Sequence, residues 1–177
     1  AGGIFVELID SVARIARLNI PTFSAAVLQQ RYQQKKFKRQ IDQCFAQIFQ
    51  QDIKYLIIDV RANGGGNPAY SAYTLRYLFD QPFIQAIAGR VVKHAEKEKV
   101  MDRTRKRWLP WYGIGTFKPH KKNYTGAVYV LTSGATFSAA VEFTSTLNKY
   151  DRAIFLGQET GGNPFVMTRN YLTESRK

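Results

Sequence analysis

The 177-residue sequence is short of cysteine, and it has neither a long apolar run nor a metal-binding pattern. Its single cysteine, Cys44, excludes an internal disulfide and leaves the redox compartment open. Cys44 lies among apolar residues at helical spacing, so we expect a buried, inert thiol. No run of about 18 apolar residues is present, which argues against a membrane-spanning helix. No histidine, cysteine and aspartate cluster has ligand spacing, so no metal or organic cofactor is implied.

Acidic residues are also scarce: 13 stand against 26 lysines and arginines, for a formal net charge of +13. Most of the excess falls between Arg90 and Lys122, where 11 basic residues accompany 3 acidic ones. Because such charge density is costly to bury unpaired, we predict a solvated, partly helical excursion at about 88–123, peripheral to the core. Aromatic residues follow the charges, as in single-strand nucleic-acid binders, but no RNA- or DNA-binding signature accompanies them. We therefore expect no nucleic-acid partner.

Apolar periodicity predicts strands that alternate with helices. Short apolar runs at 54–60, 127–132 and 153–156 are typical of buried strands, and the first has the composition of a strand covered on both faces. The period of 11–20 is ambiguous between strand and helix. Alternating elements of this kind indicate βα units and a mainly parallel sheet, whose ligand sites lie at the carboxyl ends of the strands. The predicted helices lie at about 24–50, 69–79 and 138–148.

Three consecutive glycines, Gly64 to Gly66, follow the first of these strands. Glycines allow close backbone approach and leave amide N–H groups free, so they can hold a phosphate or a developing oxyanion. The segment lacks the Gly-Lys-Ser/Thr of a phosphate-binding loop and the spacing of a dinucleotide fingerprint. A plain tight turn is the alternative.

Ser138 stands where the second strand passes through a small-residue turn into a helix. At such a junction a serine hydroxyl projects above the first helical amides, and the next residue's N–H can become an oxyanion donor. Hydrolase nucleophiles use this geometry. An ordinary serine N-cap is the alternative that this segment alone leaves open.

Together, three segments resemble the motifs of tail-specific, or C-terminal processing, serine peptidases, in that family's order. Residues 56–66 match a hydrophobic strand ending in Asp-x-Arg-x-Asn-Gly-Gly-Gly. Residues 130–140 are similar to the nucleophile segment, and residues 152–162 to the strand and Gly-x-x-Thr-Gly-Gly turn that follow it. The resemblance implies an α/β, crotonase-like fold with a mainly parallel sheet. We expect residues 1–177 to form a single peptidase core domain, a fragment of a longer protein.

The resemblance implies a serine-type endopeptidase in which Ser138 is the catalytic nucleophile. The oxyanion hole would consist of the N–H of Ala139 and that of Gly64 or Gly65. The enzyme would cleave unstructured or C-terminal polypeptide segments through an acyl-enzyme, and its partner would be a peptide or unfolded protein.

Other motif positions have structural roles in this interpretation. Asp59, Arg61 and Asn63 would hold the glycine loop in place. Glu142 lies one residue later than the acidic residue common in the nucleophile segment. We interpret it as a surface charge of the helix, with a substrate-side group as the second option.

The general base is not identifiable in the sequence. The C-terminal processing branch has a lysine just after the glycine turn, where this chain has Asn163. That departure favours the tricorn-like branch, which includes interphotoreceptor retinoid-binding protein and whose peptidases use a histidine from an N-terminal segment. His94 and His120 both lie in the basic excursion, away from that position.

A non-catalytic module is the rival interpretation, because retinoid-binding repeats of the photoreceptor matrix share this fold family. An apolar cleft would then hold a ligand, and Ser138 would only cap its helix. The first residues show no basic n-region and no cleavage signal, so no signal peptide is visible. Family habit nevertheless suggests a periplasmic, cell-envelope or secreted location.

Overall fold

The computed structural model describes residues 3–24, 33–85, 89–93, 97–101 and 115–162, and a five-stranded sheet is its centre. Its strands are β1 (Phe5–Asp10), β2 (Ile15–Asn19), β3 (Tyr55–Asp59), β8 (Ala127–Thr132) and β9 (Ile154–Gly157), in that order across the sheet. The last four strands are mutually parallel, and β1 is an antiparallel edge. The sheet is therefore mainly parallel, as the alternation of elements predicted.

In the part of the chain that the structure describes, three helices accompany the sheet: α1 (Gln33–Gln50), α2 (Pro68–Leu75) and α3 (Ala139–Lys149). The predicted helices at 69–79 and 138–148 agree with α2 and α3 to within a few residues. Of the helix predicted at 24–50, the structure describes the part from residue 33 onward, and Ser24 is not helical. Asn67 caps α2, because its side-chain oxygen accepts the Ala69 N–H at 2.9 Å.

The hydrophobic core lies on one face of the sheet. Leu18, Ile58 and Val130 are register partners across three strands, and all three are fully buried. Phe23 links this face to the helices, with its ring centroid 6.1 Å from that of Phe37 in α1 and 5.6 Å from that of Phe143 in α3. The core therefore fixes the helices against the strands that carry the predicted site.

The opposite face is more open than predicted. β3 was expected to be covered on both sides, yet Tyr55 is exposed and Ile57 only half-buried, and Ile154 and Leu156 of β9 are exposed. Within the described residues, the core covers one face alone. The prediction was wrong because a continuous apolar run does not distinguish a strand buried twice from one whose second face is merely apolar.

The apolar residues of α1 have the helical spacing from which the helix was predicted, and they form its buried side. Ile41, Phe45 and Ile48 recur at helical spacing and are fully buried. Cys44 lies beside them and is also buried, and burial raises the pKa of its thiol to about 11. The structure thus confirms the burial of Cys44, and a thiol with such a pKa is almost wholly protonated at neutral pH, as expected of an inert cysteine.

The basic excursion differs from its prediction in secondary structure. It begins and ends at two short paired strands, β4 (Phe83–Ile84) and β7 (Thr116–Phe117), so the chain leaves and returns at one place. The described part between them is an antiparallel hairpin, β5 (Gly89–Lys93) with β6 (Lys97–Met101), and not a helix. Cross-strand pairing overrides the helix propensity of its lysines and glutamates. The predicted exposure is confirmed for Lys118, Lys121 and Lys122. For Lys97, Lys99, Arg105 and Lys106 it lies outside the side chains that the structure describes.

The N-terminal region resolves the ambiguity at 11–20 in favour of a strand. β2 pairs in parallel with β3, and β1, which the sequence did not predict, adds to its other side. β1 carries exposed Phe5, Leu8 and Ile9, so it lacks the clean alternation that marks a half-buried strand.

Candidate active site

The glycine loop, residues 61–67, follows β3 and is held by the buried side chain of Asn63. The amide nitrogen of Asn63 donates to the Ile20 carbonyl at 2.9 Å, and its amide oxygen accepts the Gly65 N–H at 2.9 Å. The Gly65 carbonyl accepts the Phe23 N–H at 2.8 Å. These bonds attach the loop to the segment that follows β2, which agrees with the structural role expected of Asn63.

Asp59 and Arg61 form a second support at the same strand end. The Arg61 guanidinium donates to both carboxylate oxygens of Asp59, through Nε at 3.0 Å and a terminal nitrogen at 2.7 Å. This bidentate pair holds the pKa of the Asp59 carboxyl below its usual value, against the opposing effect of burial. Arg17 of β2 adds a further cation, with a guanidinium nitrogen 3.8 Å from the Asp59 carboxylate.

The serine turn, residues 133–138, connects β8 to α3 and is bonded to the exit of β3. The Thr136 hydroxyl donates to the Val60 carbonyl at 2.9 Å, and the Ser133 hydroxyl donates to the Arg61 carbonyl at 2.6 Å. The Phe137 N–H donates to the Asn63 carbonyl at 3.0 Å. Sequence reasoning missed the positioning by Ser133 and Thr136, since nothing in the sequence pairs these hydroxyls with carbonyls more than 70 residues away.

Gly65 is in direct contact with the serine turn. Its φ of +97° is a conformation that residues with side chains rarely adopt. A Cβ built on Gly65 would lie 2.6 Å from the Ser138 Cβ and 2.9 Å from the Ala139 nitrogen. The structure thus brings the glycine loop and Ser138 together at one edge of the sheet, and only a glycine permits that approach.

Ser138 has an unusual backbone conformation, with φ 54° and ψ −123°. An N-cap serine normally has extended dihedral angles and accepts a helix amide with its hydroxyl, but Ser138 makes no such bond. The N-cap alternative therefore does not describe this residue. A non-glycine residue held in a sparsely populated conformation costs about 1–3 kcal/mol, and such strain is typical of functional turns.

Several backbone amides of the two loops have no acceptor in the part of the chain that the structure describes. Among them are the N–H of Ala139, in the first turn of α3, and the N–H groups of Gly64 and Gly66. Gly64 is exposed, whereas the Gly65 N–H is already bonded to the Asn63 side chain. Unpaired amides at a helix start and a glycine loop are suited to a developing negative charge.

Glu142 is buried, contrary to the surface charge expected from the sequence. Its carboxylate accepts a hydrogen bond from the Gln85 side chain at 2.7 Å, and burial raises its pKa, an effect that this bond reduces. Glu142 lies one helical turn after Ser138, with its own N–H donating to the Ser138 carbonyl at 3.1 Å. Its partner Gln85 comes from the loop after β4, where no sequence signal marked it.

Of the two histidines, only His120 is among the described residues, and the structure does not bring it to Ser138. His120 stacks on Tyr77 beyond the end of α2, with ring centroids 4.2 Å apart. His94 and Asn163 lie outside the described residues. Over the described ranges, no helix is long and apolar enough to cross a membrane, and no group of three or more His, Cys, Asp or Glu residues could hold a metal ion.

Comparison with solved structures shows the fold. A candidate peptidase from Parabacteroides merdae has a TM-score of 0.62 at 21% identity, over 92% of this chain and 45% of its own. For mature CPAF in complex with lactacystin, the TM-score is 0.60 at 20% identity, over 82% of this chain and 38% of its own. For the photosystem II D1 C-terminal processing protease it is 0.58 at 18% identity, over 82% and 31%. The chain thus spans less than half the length of these structures.

Comparison with curated protein sequences finds no match. The model of peptidase family S41, in contrast, matches residues 14–176, which include both loops of the site and the third motif. This match confirms the resemblance to tail-specific peptidases that the three sequence motifs predicted. The chain belongs to peptidase family S41, a family of serine peptidases.

Proposed function

We propose that this chain is the core of a serine endopeptidase in which Ser138 is the nucleophile. The main support for this proposal is the strained backbone of Ser138, whose side chain does not cap the helix that begins after it. The N–H groups of Ala139 and Gly64 form the oxyanion hole, because both lack acceptors among the described residues. Gly65, which the sequence offered as an alternative donor, instead provides the close approach, since its N–H is bonded to Asn63.

The reaction follows from these roles. The Ser138 oxygen attacks the scissile carbonyl carbon, its proton passes to a general base, and the two amides stabilise the oxyanion. Collapse of this intermediate breaks the C–N bond, the amine leaves with a proton, and water then hydrolyses the acyl-enzyme. Loss of one oxyanion donor typically costs about 3–4 kcal/mol of transition-state stabilisation.

In this proposal the base is a histidine from an N-terminal segment outside residues 1–177, as the resemblance implies. A serine hydroxyl is a weak nucleophile until an adjacent base accepts its proton. Residues 1–177 alone should therefore be inactive towards peptides, or nearly so. Robust cleavage by the isolated chain that disappears in His94→Ala or His120→Ala would show that the base had been misplaced.

We also propose the substrate class, the complete fold and the location that the resemblance implies. Substrates are unstructured or C-terminal polypeptide segments, the complete fold is crotonase-like, and the location is periplasmic, cell-envelope or secreted. The retinoid-type binding module is not favoured, because it would make Ser138 an ordinary helix cap, and Ser138 makes no capping bond. The absence of a nucleic-acid partner remains a prediction.

A fluorophosphonate probe on the whole protein tests the nucleophile. The probe should label wild type, and Ser138→Ala should abolish labelling and lower kcat by at least about 1,000-fold without unfolding the domain. Ser145→Ala is the matched control, since it makes the same change two turns along α3. Unchanged peptide cleavage by Ser138→Ala would remove the assignment.

A further inference from the structure

The aromatic ring directly before the nucleophile is exposed, unlike the phenylalanines of the core. The Phe137 side chain is 52% exposed, whereas Phe23, Phe37 and Phe143 are fully buried. The exposed half of the ring contributes little to folding and is free to contact a substrate bound at Ser138.

The ring is also held in place. A Cβ built on Gly162 would lie 3.0 Å from the Phe137 ring carbon Cδ2 and 3.0 Å from the Val141 side chain. The ring is therefore in close contact with the Gly162 backbone on one side, next to Val141. The backbone of Phe137 is fixed too, since its N–H donates to Asn63 and its carbonyl accepts the Ala140 N–H at 3.1 Å. Phe137 thus presents a preformed apolar wall.

We infer that Phe137 forms the wall of the pocket for the P1 side chain, whose carbonyl is attacked, and gives the enzyme a preference for apolar P1 residues. This inference rests on the proposed function of Ser138. In the acyl-enzyme, the P1 Cα is bonded to the carbon that Ser138 Oγ carries. The Cα atoms of Phe137 and Ser138 are about 3.8 Å apart, so a P1 side chain is within reach of the ring.

The surroundings of the wall favour an apolar group over a polar one. Val141 is buried, and Gly162 offers no side chain that could pair with a polar substituent. The acid next along α3, Glu142, is buried and bonded to Gln85. A polar P1 side chain placed against this wall would lose hydration without gaining a partner, which costs binding.

The test is a pair of fluorogenic peptides that differ only at P1, with leucine in one and the nearly isosteric asparagine in the other. Whole wild-type protein should have a kcat/KM about 10-fold or more higher for the leucine peptide. Phe137→Ala should lower this leucine-to-asparagine ratio by about 10-fold, and Phe137→Leu, which keeps an apolar wall, should retain most of it. A small fluorophosphonate, which has no P1 side chain, should still label Ser138 in all three proteins, which shows that the nucleophile is present in each.

Contrary outcomes can be told apart. An unchanged ratio in Phe137→Ala, with labelling intact, would overturn the inference and leave Ser138 as the nucleophile. A large fall in the Tm of Phe137→Ala would overturn it too, since the ring would then be packed beneath another part of the protein. Wild-type protein that neither cleaves the peptides nor labels would refute the proposed function and the inference with it.

Discussion

The glycine loop and the serine turn follow adjacent parallel strands, β3 and β8, but they differ in how far their polar groups are hydrogen-bonded within the fold. In the glycine loop, both ends of the Asn63 amide and the Gly65 carbonyl are bonded within the fold. In the serine turn, Ser133 and Thr136 are bonded to the Arg61 and Val60 carbonyls just after β3, while Ser138 makes no capping bond. The difference indicates a division of labour, in which one loop is a rigid support and the other holds the reactive group against it.

The contact between the two loops should be broken most severely by Gly65→Ala. The added methyl group would meet the Ser138 Cβ and the Ala139 nitrogen at a positive φ, so we expect a loss of about 3 kcal/mol or more in the free energy of unfolding. Gly64→Ala is the matched control, because no atom lies within 4 Å of a Cβ built there. Urea denaturation should place Gly64→Ala within about 0.5 kcal/mol of wild type. Equal effects at both positions would contradict the close contact.

The support loop should depend next on the Asn63 side chain. Asn63→Ala leaves the Ile20 carbonyl and the Gly65 N–H buried without partners, which should cost about 2–4 kcal/mol. Asn63→Asp keeps the shape and the acceptor for Gly65, but it buries a carboxylate with one oxygen against the Ile20 carbonyl, so at neutral pH it should be at least as destabilising as Asn63→Ala. Denaturation curves of the two variants at neutral pH measure both losses. A neutral Asn63→Ala would mean that the loop does not rely on these bonds.

The reactive turn, in contrast, should gain stability when its strain is removed. Ser138→Gly should raise the free energy of unfolding by about 1 kcal/mol relative to Ser138→Ala, since glycine adopts φ 54° freely and the relief exceeds its entropic cost. Ser145→Gly in the helix should instead lower stability by about 1 kcal/mol. If Ser138→Gly proved less stable than Ser138→Ala, the turn would not be strained.

The smallest effect concerns two carboxylates that flank the loops, Glu142 and Asp59, whose pKa values are shifted in opposite directions. Burial raises the pKa of Glu142, so its ionised form is disfavoured in the folded state and lowers stability above its ordinary pKa of about 4.3. Glu142→Gln should therefore be more stable than wild type at neutral pH, and the gain should disappear as the pH falls below about 4. Thermal unfolding between pH 3 and 7 measures this.

Asp59 provides the contrasting case. Its pKa is lowered by Arg61, so its stabilisation is present above the ordinary value of about 3.9 and is lost as the pH falls through the folded value. Asp59→Asn should thus be less stable than wild type at neutral pH, and the deficit should shrink in acid. If the stability of Glu142→Gln and that of Asp59→Asn, each relative to wild type, changed with pH in the same direction, the opposite pKa shifts would be contradicted.

Much of this arrangement was accessible from sequence because the central elements have strong patterns. The run at 127–132 is apolar and β-branched and forms β8 with the predicted bounds, and the small residues after it mark the turn into α3. The approach of Gly64–Gly66 to Ser138 followed from strand ends that meet at one edge. The order of the three sequence motifs then predicted the family, which no single motif would have done.

The remaining features depend on contacts that no local pattern encodes. Glu142 was interpreted as a surface charge because acidic residues are rarely buried, yet Gln85, 57 residues earlier, gives its carboxylate a partner. The hairpin of the excursion forms between segments whose lysines and glutamates favour a helix. Which glycine amide stays free was decided by the Asn63 side chain, a detail of tertiary geometry.

The long-range bonds that hold the two loops in place also have consequences for the order of folding. The hydroxyl of Thr22 bonds to Gly65 across 43 residues, and that of Thr136 bonds to Val60 across 76. Contacts of such separation must first overcome the entropy of closing long loops, so they form slowly and late. During synthesis, β3 and its glycines emerge well before the serine turn exists. A partly made copy therefore contains the glycine loop without Ser138, and a complete copy whose loops have not yet met contains Ser138 without the glycine loop beside it.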